Sequence, residues 1–209
     1  MISGGLGGIG RSIARWMVQR GARHLILLSR FGPKTEAAHK LVQELADQGV
    51  EVQVPAADIA NEDILQATLS DLMKRMPPIK GCIQSSMVLA DCPFESMSYD
   101  QWTAALGPKV QGTYSLHTML PSGMDFFIML SSIAGAIGST TQANYAAGCS
   151  YQDALVHHRI GLGEKATTFN LGVMLDDGVL SKSISFLNLP FLTPPILEVG
   201  QAEPQNMDG

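Results

Sequence analysis

Ser132 and Tyr145 stand thirteen positions apart, the first closing an apolar run that ends Leu130-Ser131-Ser132, the second opening a helical pattern. A hydroxyl at a strand's carboxyl end, facing a phenol at the start of the next helix, suits a ketone. Ser132 would hold the carbonyl oxygen while Tyr145 donates a proton to it. The connection Ile133-Ala134-Gly135-Ala136-Ile137-Gly138 reads as a small-residue loop that can fold back toward a cofactor. A phenol near pKa 10 is a poor acid–base at neutral pH unless its anion is stabilised. One ammonium at about 4 Å contributes on the order of 4 kcal/mol at an effective dielectric of 20, before desolvation. At roughly 1.4 kcal/mol per unit, that lowers the phenol by up to about three units. The pair therefore needs a lysine.

One helical turn past the tyrosine, in Asn144-Tyr145-Ala146-Ala147-Gly148-Cys149, the position where an ammonium would stand holds Cys149. Of the seven lysines, Lys34, Lys40, Lys74 and Lys80 lie too early or on exposed helix faces. Lys165 precedes a strand at its distant end, and Lys182 falls in a late segment. Lys109, in Gly107-Pro108-Lys109-Val110-Gln111-Gly112, belongs to the long helix before the Ser132 strand and is the remaining candidate.

Near the start, Gly4-Gly5-Leu6-Gly7-Gly8-Ile9-Gly10-Arg11 carries Gly-x-Gly-x-x-Gly at Gly5, Gly7 and Gly10, with Leu6 and Ile9 between them. Glycines there permit a tight turn and bring backbone N–H groups and a helix N-terminus up to a pyrophosphate. About twenty residues on, Leu28-Ser29-Arg30 ends a strand. An NAD site wants a carboxylate at that place, whereas Ser29 and Arg30 offer a hydroxyl and a guanidinium fork suited to a 2′-phosphate. This favours NADPH, the alternative being an ordinary exposed Arg. Asp58 accepts from an adenine or caps a turn, and the spacing leaves both open. Asn170 and Gly172, in Asn170-Leu171-Gly172-Val173-Met174, should lie against the nicotinamide.

Apolar runs at 24–29, 50–54, 80–84, 125–131 and 166–171 read as buried strands. They alternate with helical patterns at 8–20, 35–48, 61–75, 99–120 and 143–162. Such alternation predicts an α/β fold: a Rossmann-like, doubly wound parallel sheet with helices on both faces. Met1-Ile2-Ser3 is a remnant of a first strand, and after about residue 185 the periodicity fails around Pro190, Pro194, Pro195 and Pro204. The chain thus reads as a fragment truncated at both ends, with residues 185–209 a lid remnant running into a poorly ordered tail. With 209 residues there is length for one domain.

The net charge of −5 gives no reason to expect nucleic acid or an anionic membrane as partner. The apolar runs are too short to span a bilayer. Cys82, Cys92 and Cys149 lack metal-pair spacing and fit reduced thiols in a cytoplasmic compartment, and the histidines form no ligand pattern, so no metal is expected.

From about Ile2 to Gly178 the sequence resembles the ketoreductase domains of polyketide synthases, most of all the highly reducing fungal type, within the short-chain dehydrogenase/reductase superfamily. Gly-Gly-Leu-Gly-Gly-Ile-Gly-Arg, Leu-Ser-Arg, Lys-Val-Gln-Gly-Thr, Ser-Ser-Ile-Ala-Gly and Asn-Tyr-Ala-Ala-Gly carry the likeness. The resemblance implies an NADP-binding ketoreductase domain over 1–184. Its reaction would be NADPH-dependent reduction of a β-ketoacyl thioester held by an acyl carrier protein, beside other synthase domains. It implies catalytic Tyr145 and Ser132, with the lysine moved to Lys109. The family usually has Asn at the place of Cys149, supporting that lysine through water, so Cys149 implies a weakened relay. Val88-Leu89-Ala90-Asp91 looks like the motif whose Asp marks domains making the D (R) hydroxyl, and Ile137 stands where the opposite class has Trp. From the sequence alone, a solvated loop acid is the better reading of Asp91. Met87, Met174 and Leu175 would meet an acyl chain or fill core. Two rival readings remain: an inactive nucleotide-binding remnant, and a stand-alone reductase of a small ketone.

Overall fold

A computed structural model describes residues 1–172. Expectations for Met174, Leu175, Lys182 and residues 185–209 fall outside the described residues.

Six strands form one sheet in the order β3-β2-β1-β4-β5-β6, with every pairing parallel. They are β1 (Ile2–Ser3), β2 (His24–Leu28), β3 (Glu51–Gln53), β4 (Gly81–Gln84), β5 (Phe126–Ser132) and β6 (Thr167–Leu171). Between them run α1 (Gly8–Gln19), α2 (Glu36–Asp47), α3 (Glu62–Arg75), α4 (Tyr99–Leu106), α5 (Gly112–Met119), α6 (Ala134–Ile137) and α7 (Ala143–Gly161). This is the doubly wound order, whose reversal between β1 and β4 opens a ligand crevice at the strands' carboxyl ends. The first strand is short yet central. Ile2 and Ser3 pair with Leu27 and Leu28 on one side and with Ile83 and Gln84 on the other.

Alternation along β2 sends side chains to opposite faces, as the period of two requires. Leu25 and Leu27 join a core with Ala14 and Val18 of α1 and Leu41 and Leu45 of α2. Ile26 and Leu28 join the other, with Leu65, Leu69 and Leu72 of α3, Leu116 of α5 and Leu155 of α7. Helix starts follow local chemistry. Thr35 and Asn61 cap α2 and α3 by accepting from Ala38 N–H and Ile64 N–H, and Ser98 forms a reciprocal capping box with Gln101. Helix α1 begins after Gly7 with no side-chain cap, leaving its first N–H groups for another acceptor.

Two segments depart from the expected pattern. The helix expected over 99–120 is interrupted between α4 and α5 by a π turn, Gly107–Gln111, with Pro108 at its start and Gly112 N–H bonded to the Gly107 carbonyl. The extra residue per turn lets the helix remain continuous while altering which side chain faces inward. The loop expected at 133–138 contains the short helix α6, since Ala and Ile tolerate helical backbone and Gly138, at φ 78°, ends it.

Candidate functional site

Helix α7 begins where Asn144, fully buried, donates to the Ala90 and Gln101 carbonyls at 3.0 and 2.8 Å and accepts from Tyr145 N–H at 2.8 Å. Nearby, Gln142 donates to Asp91 at 3.0 Å and Cys92 N–H to the Thr141 carbonyl at 2.8 Å. Thr141 adopts the left-handed conformation at φ 64°, a costly choice for a β-branched residue. These bonds clasp the segment around Asp91 against the start of α7. Asp91 is therefore exposed yet tethered at the rim, and Ile137 lies 77% exposed on α6.

Tyr145 is buried, packed with Ala134, Cys149, Met87 and Leu89, its hydroxyl 3.7 Å from the Met87 sulfur. Ser132 closes β5, where its hydroxyl accepts from Ala134 N–H at 3.2 Å and donates to the Leu171 carbonyl at 3.4 Å. Burial, with Cys149 behind it, pushes the phenol up to about 12, and hydrogen bonding from Ser132 works against the rise. In the free protein Tyr145 is therefore a protonated phenol. The lowered phenol that the lysine argument leads one to expect is absent, because burial penalises the phenolate and the Lys109 ammonium spends its hydrogen bonds on the Leu130 carbonyl and Gln152.

Lys109 is 1% exposed, and its Nζ lies 4.9 Å from the centre of the Tyr145 ring. The π turn and Gly148 together place it there. A β-carbon at Gly148 would stand 2.8 Å from Lys109 Cβ and 3.1 Å from its Cδ, so glycine lets the stem cross α7. The ammonium donates to the Leu130 carbonyl at 3.0 Å and to Gln152 Oε1 at 2.9 Å. Burial lowers the Lys109 pKa below the usual lysine range, opposed by Cys149 and by Asp153. Ser132, Tyr145, Lys109 and Cys149 thus converge, as the sequence leads one to expect.

The glycine turn fits a dinucleotide. Gly4, at φ 72°, receives no side chain without collision: a β-carbon there would stand 2.8 Å from Ser86 N. A β-carbon on Gly10 would strike the Gly4 carbonyl, and one on Gly5 would stand 2.9 Å from Leu27 Cβ. Gly7 N–H bonds to the Gly4 carbonyl at 2.9 Å, and Arg11 ties down the Leu6 carbonyl at 2.8 Å, with Ile9 opening α1 behind them. The result is a backbone cradle ahead of an uncapped helix, the arrangement that receives a pyrophosphate. At the end of β2, Ser29 bridges to Ala56, while exposed Arg30 and Lys34 lie 5.4 and 5.0 Å from the Phe31 ring centre. Asp58 accepts from Ala60 N–H at 2.9 Å and so serves a turn. Asn170, on β6, pairs in register with Ser131 of β5, and Gly172 follows the strand.

Sequence reasoning missed Gln152, Thr113, Gln84 and Asn144, all fully buried polar residues. Gln152 had a signal: it stands seven residues after Tyr145, two helical turns on and hence on the same face. Lys34, four residues past Arg30, was also passed over as merely exposed.

Strand order and glycine cradle together define a Rossmann-type α/β nucleotide-binding domain. The family model for the KR domain matches residues 1–176, and the chain belongs to that family of ketoreductase domains. It is 48% identical over 183 residues to highly reducing polyketide synthase 40 of Fusarium mangiferae, covering 88% of this chain and 7% of that protein. Against 6-hydroxymellein synthase cdmE of Talaromyces verruculosus the identity is 44% over 198 residues, 95% of this chain and 8% of that one. The chain thus spans less than a tenth of the length of either. Among solved structures it is similar to the ketoreductase PlmKR1 from the first module of phoslactomycin biosynthesis in Streptomyces sp. HK803. The TM-score is 0.82 at 29% identity, over 87% of this chain and 43% of that one. An A1-type ketoreductase matches with a TM-score of 0.81 at 34% identity, over 86% and 38% of the two chains. Domains of this family are oxidoreductases that bind a nicotinamide cofactor. Among the described residues, no helix is long and apolar enough to cross a membrane.

Proposed function

We propose that this chain is an NADPH-dependent β-ketoacyl reductase, acting on thioesters presented by an acyl carrier protein within a cytoplasmic polyketide synthase. The observation that carries this reading is the buried Lys109 ammonium, delivered from a neighbouring helix to the ring of Tyr145 with Ser132 beside it. When bound, NADPH supplies the hydride. The turn of Gly5, Leu6, Gly7, Ile9 and Gly10 holds the pyrophosphate, Asp58 the adenine end, and Asn170 and Gly172 the nicotinamide end. Ser29, Arg30 and Lys34 suit a 2′-phosphate, two cations flanking one exposed ring.

Each protein group has a separate task. Ser132 donates to the ketone oxygen and orients it. Tyr145, held protonated by burial, delivers its proton as negative charge grows on that oxygen. Lys109 stabilises the phenolate left behind and so makes the phenol a stronger acid in the transition state. Cys149, behind the ring, offers only a weak sulfur contact to this relay. Asp91, tethered by Gln142 at the rim, guides the acyl chain so that the D (R) hydroxyl forms. The test is a steady-state assay with a β-ketoacyl thioester and chiral analysis of the product: NADPH consumption yielding the R alcohol supports the reading, and tight NADPH binding without turnover establishes the remnant instead.

A further inference from the structure

A buried ammonium is a demanding guest. Its three N–H groups must find acceptors, and any left bare in the interior cost free energy. Lys109 finds two oxygens, the Leu130 carbonyl and Gln152 Oε1. The Leu130 carbonyl belongs to β5 and comes with the sheet. Gln152 is a side chain, so its orientation has to be enforced.

That enforcement can be traced bond by bond. Ser86 N–H donates to Gln84 Oε1 at 2.8 Å, which fixes the Gln84 amide with its nitrogen turned inward. Gln84 Nε2 donates to the Pro108 carbonyl at 2.7 Å and to Thr113 Oγ1 at 3.2 Å. Gln152 Nε2 donates to the same Thr113 oxygen at 3.0 Å, and the Thr113 hydroxyl passes its own hydrogen to the Pro108 carbonyl at 3.4 Å. With Nε2 committed to Thr113, the Gln152 carbonyl oxygen faces the ammonium. A flipped amide would set its NH2 group against three N–H donors of like polarity. Both ends of the chain of bonds therefore demand the same orientation, and every side chain in it is fully buried or nearly so.

We propose that Gln152 is the positioning residue of this site: its carbonyl, oriented by Thr113 and Gln84, holds the Lys109 ammonium in place against Tyr145. The inference rests on the reading of Lys109 as the cation of the reaction. The titratable groups facing the ammonium are Tyr145, Cys149 and Asp153, all from α7, while β5 contributes a backbone carbonyl only. Burial draws Lys109 toward its neutral form against Cys149 and Asp153, and the Gln152 oxygen at 2.9 Å adds an acceptor that favours the charged form. Loss of the acceptor moves Lys109 deprotonation toward neutral pH. A carboxylate in its place moves it away.

The experiment compares the 209-residue chain with Gln152→Leu, Gln152→Glu, Lys109→Met and the Gln152→Leu/Lys109→Met double variant. With NADPH and a β-ketoacyl thioester, Gln152→Leu lowers kcat at pH 7 about tenfold and shifts the alkaline limb of kcat at least about one unit toward acid, at an unchanged KM for NADPH. Gln152→Glu restores kcat and carries the limb above that of the parent chain. Thermal unfolding is read in parallel. Gln152→Leu lowers Tm by roughly 3–10 °C when Lys109 is present and by a small fraction of that in the Lys109→Met background. An unmoved limb in both Gln152 variants, or equal Tm losses with and without Lys109, overturns the proposal. Absence of turnover in the parent chain refutes the proposed function, and the thermal cycle then decides the role of Gln152 by itself. Should Gln152→Leu fail to fold, the limb of Gln152→Glu decides: a rise supports the proposal and an unchanged limb overturns it.

Discussion

Replacing Lys109 with methionine keeps an apolar stem beside Gly148 and removes the charge together with its hydrogen bonds to Leu130 and Gln152. The ammonium lies 4.9 Å from the Tyr145 ring centre. At that separation and an effective dielectric of 20 it favours the phenolate by about 3 kcal/mol, an upper figure before desolvation. Divided by roughly 1.4 kcal/mol per decade, this amounts to a little over two decades in the acidity of the phenol. The proton transfer proposed for Tyr145 should weaken accordingly. Lys109→Met is expected to lower kcat about 100-fold while NADPH affinity, measured by nucleotide fluorescence, changes far less. Stability runs the other way with pH. Because burial holds the folded-state pKa of Lys109 below its unfolded value near 10.5, the folded parent chain binds fewer protons than the unfolded one in the window beneath 10.5. The Lys109 contribution therefore favours folding more as pH rises through that window, and Lys109→Met removes this slope. A kcat within about threefold of the parent chain, against the 100-fold expected from the charge, would refute the assignment of Lys109 as the cation serving Tyr145.

Other consequences follow from single contacts. Gly10→Ala drives a β-carbon into the Gly4 carbonyl, so NADPH binding is expected to fall below detection in calorimetry while a lowered Tm reports the opened turn. Arg30→Glu puts a carboxylate where the 2′-phosphate would sit, and the ratio of kcat/KM for NADPH over NADH should fall by at least about tenfold. An unchanged ratio would assign Arg30 to the ordinary surface. Burial raises the Cys82 thiol to about 12 from the usual 9.0. Its stabilising contribution is thus fully present below pH 9 and lost as pH climbs from 9 to about 12, and Cys82→Ala should flatten that alkaline loss in Tm.

The elements were legible in the sequence because each has its own local signal. Apolar runs and one-face spacing place strands β2 to β6 and helices α1, α2, α3 and α7 to within about a residue of their observed ends. The central position of β1 was less visible, since two residues carry no periodicity and Ile2 and Ser3 are strand only through partners on both sides. The π turn at Gly107–Gln111 was invisible for a related reason. Helical spacing continues through it, and only packing of Lys109 against Gly148 reveals the altered register. The convergence of Ser132, Tyr145 and Lys109 was legible because the chemistry expected of each needs the others. Gln152, Thr113 and Gln84 were hidden, since a buried amide looks like a surface amide until its partners are seen. The charge state of Tyr145 was also beyond the sequence. Spacing supplies a lysine, but burial decides what that lysine achieves.

The most direct measurement is NADPH oxidation by this chain with a β-ketoacyl thioester, set beside the Tyr145→Phe variant at equal NADPH saturation. Turnover in the parent chain, lost by at least about 100-fold in Tyr145→Phe with unchanged NADPH affinity, is the expected result. Equal rates in the two proteins, or no turnover in the parent chain despite full NADPH occupancy, would contradict the account.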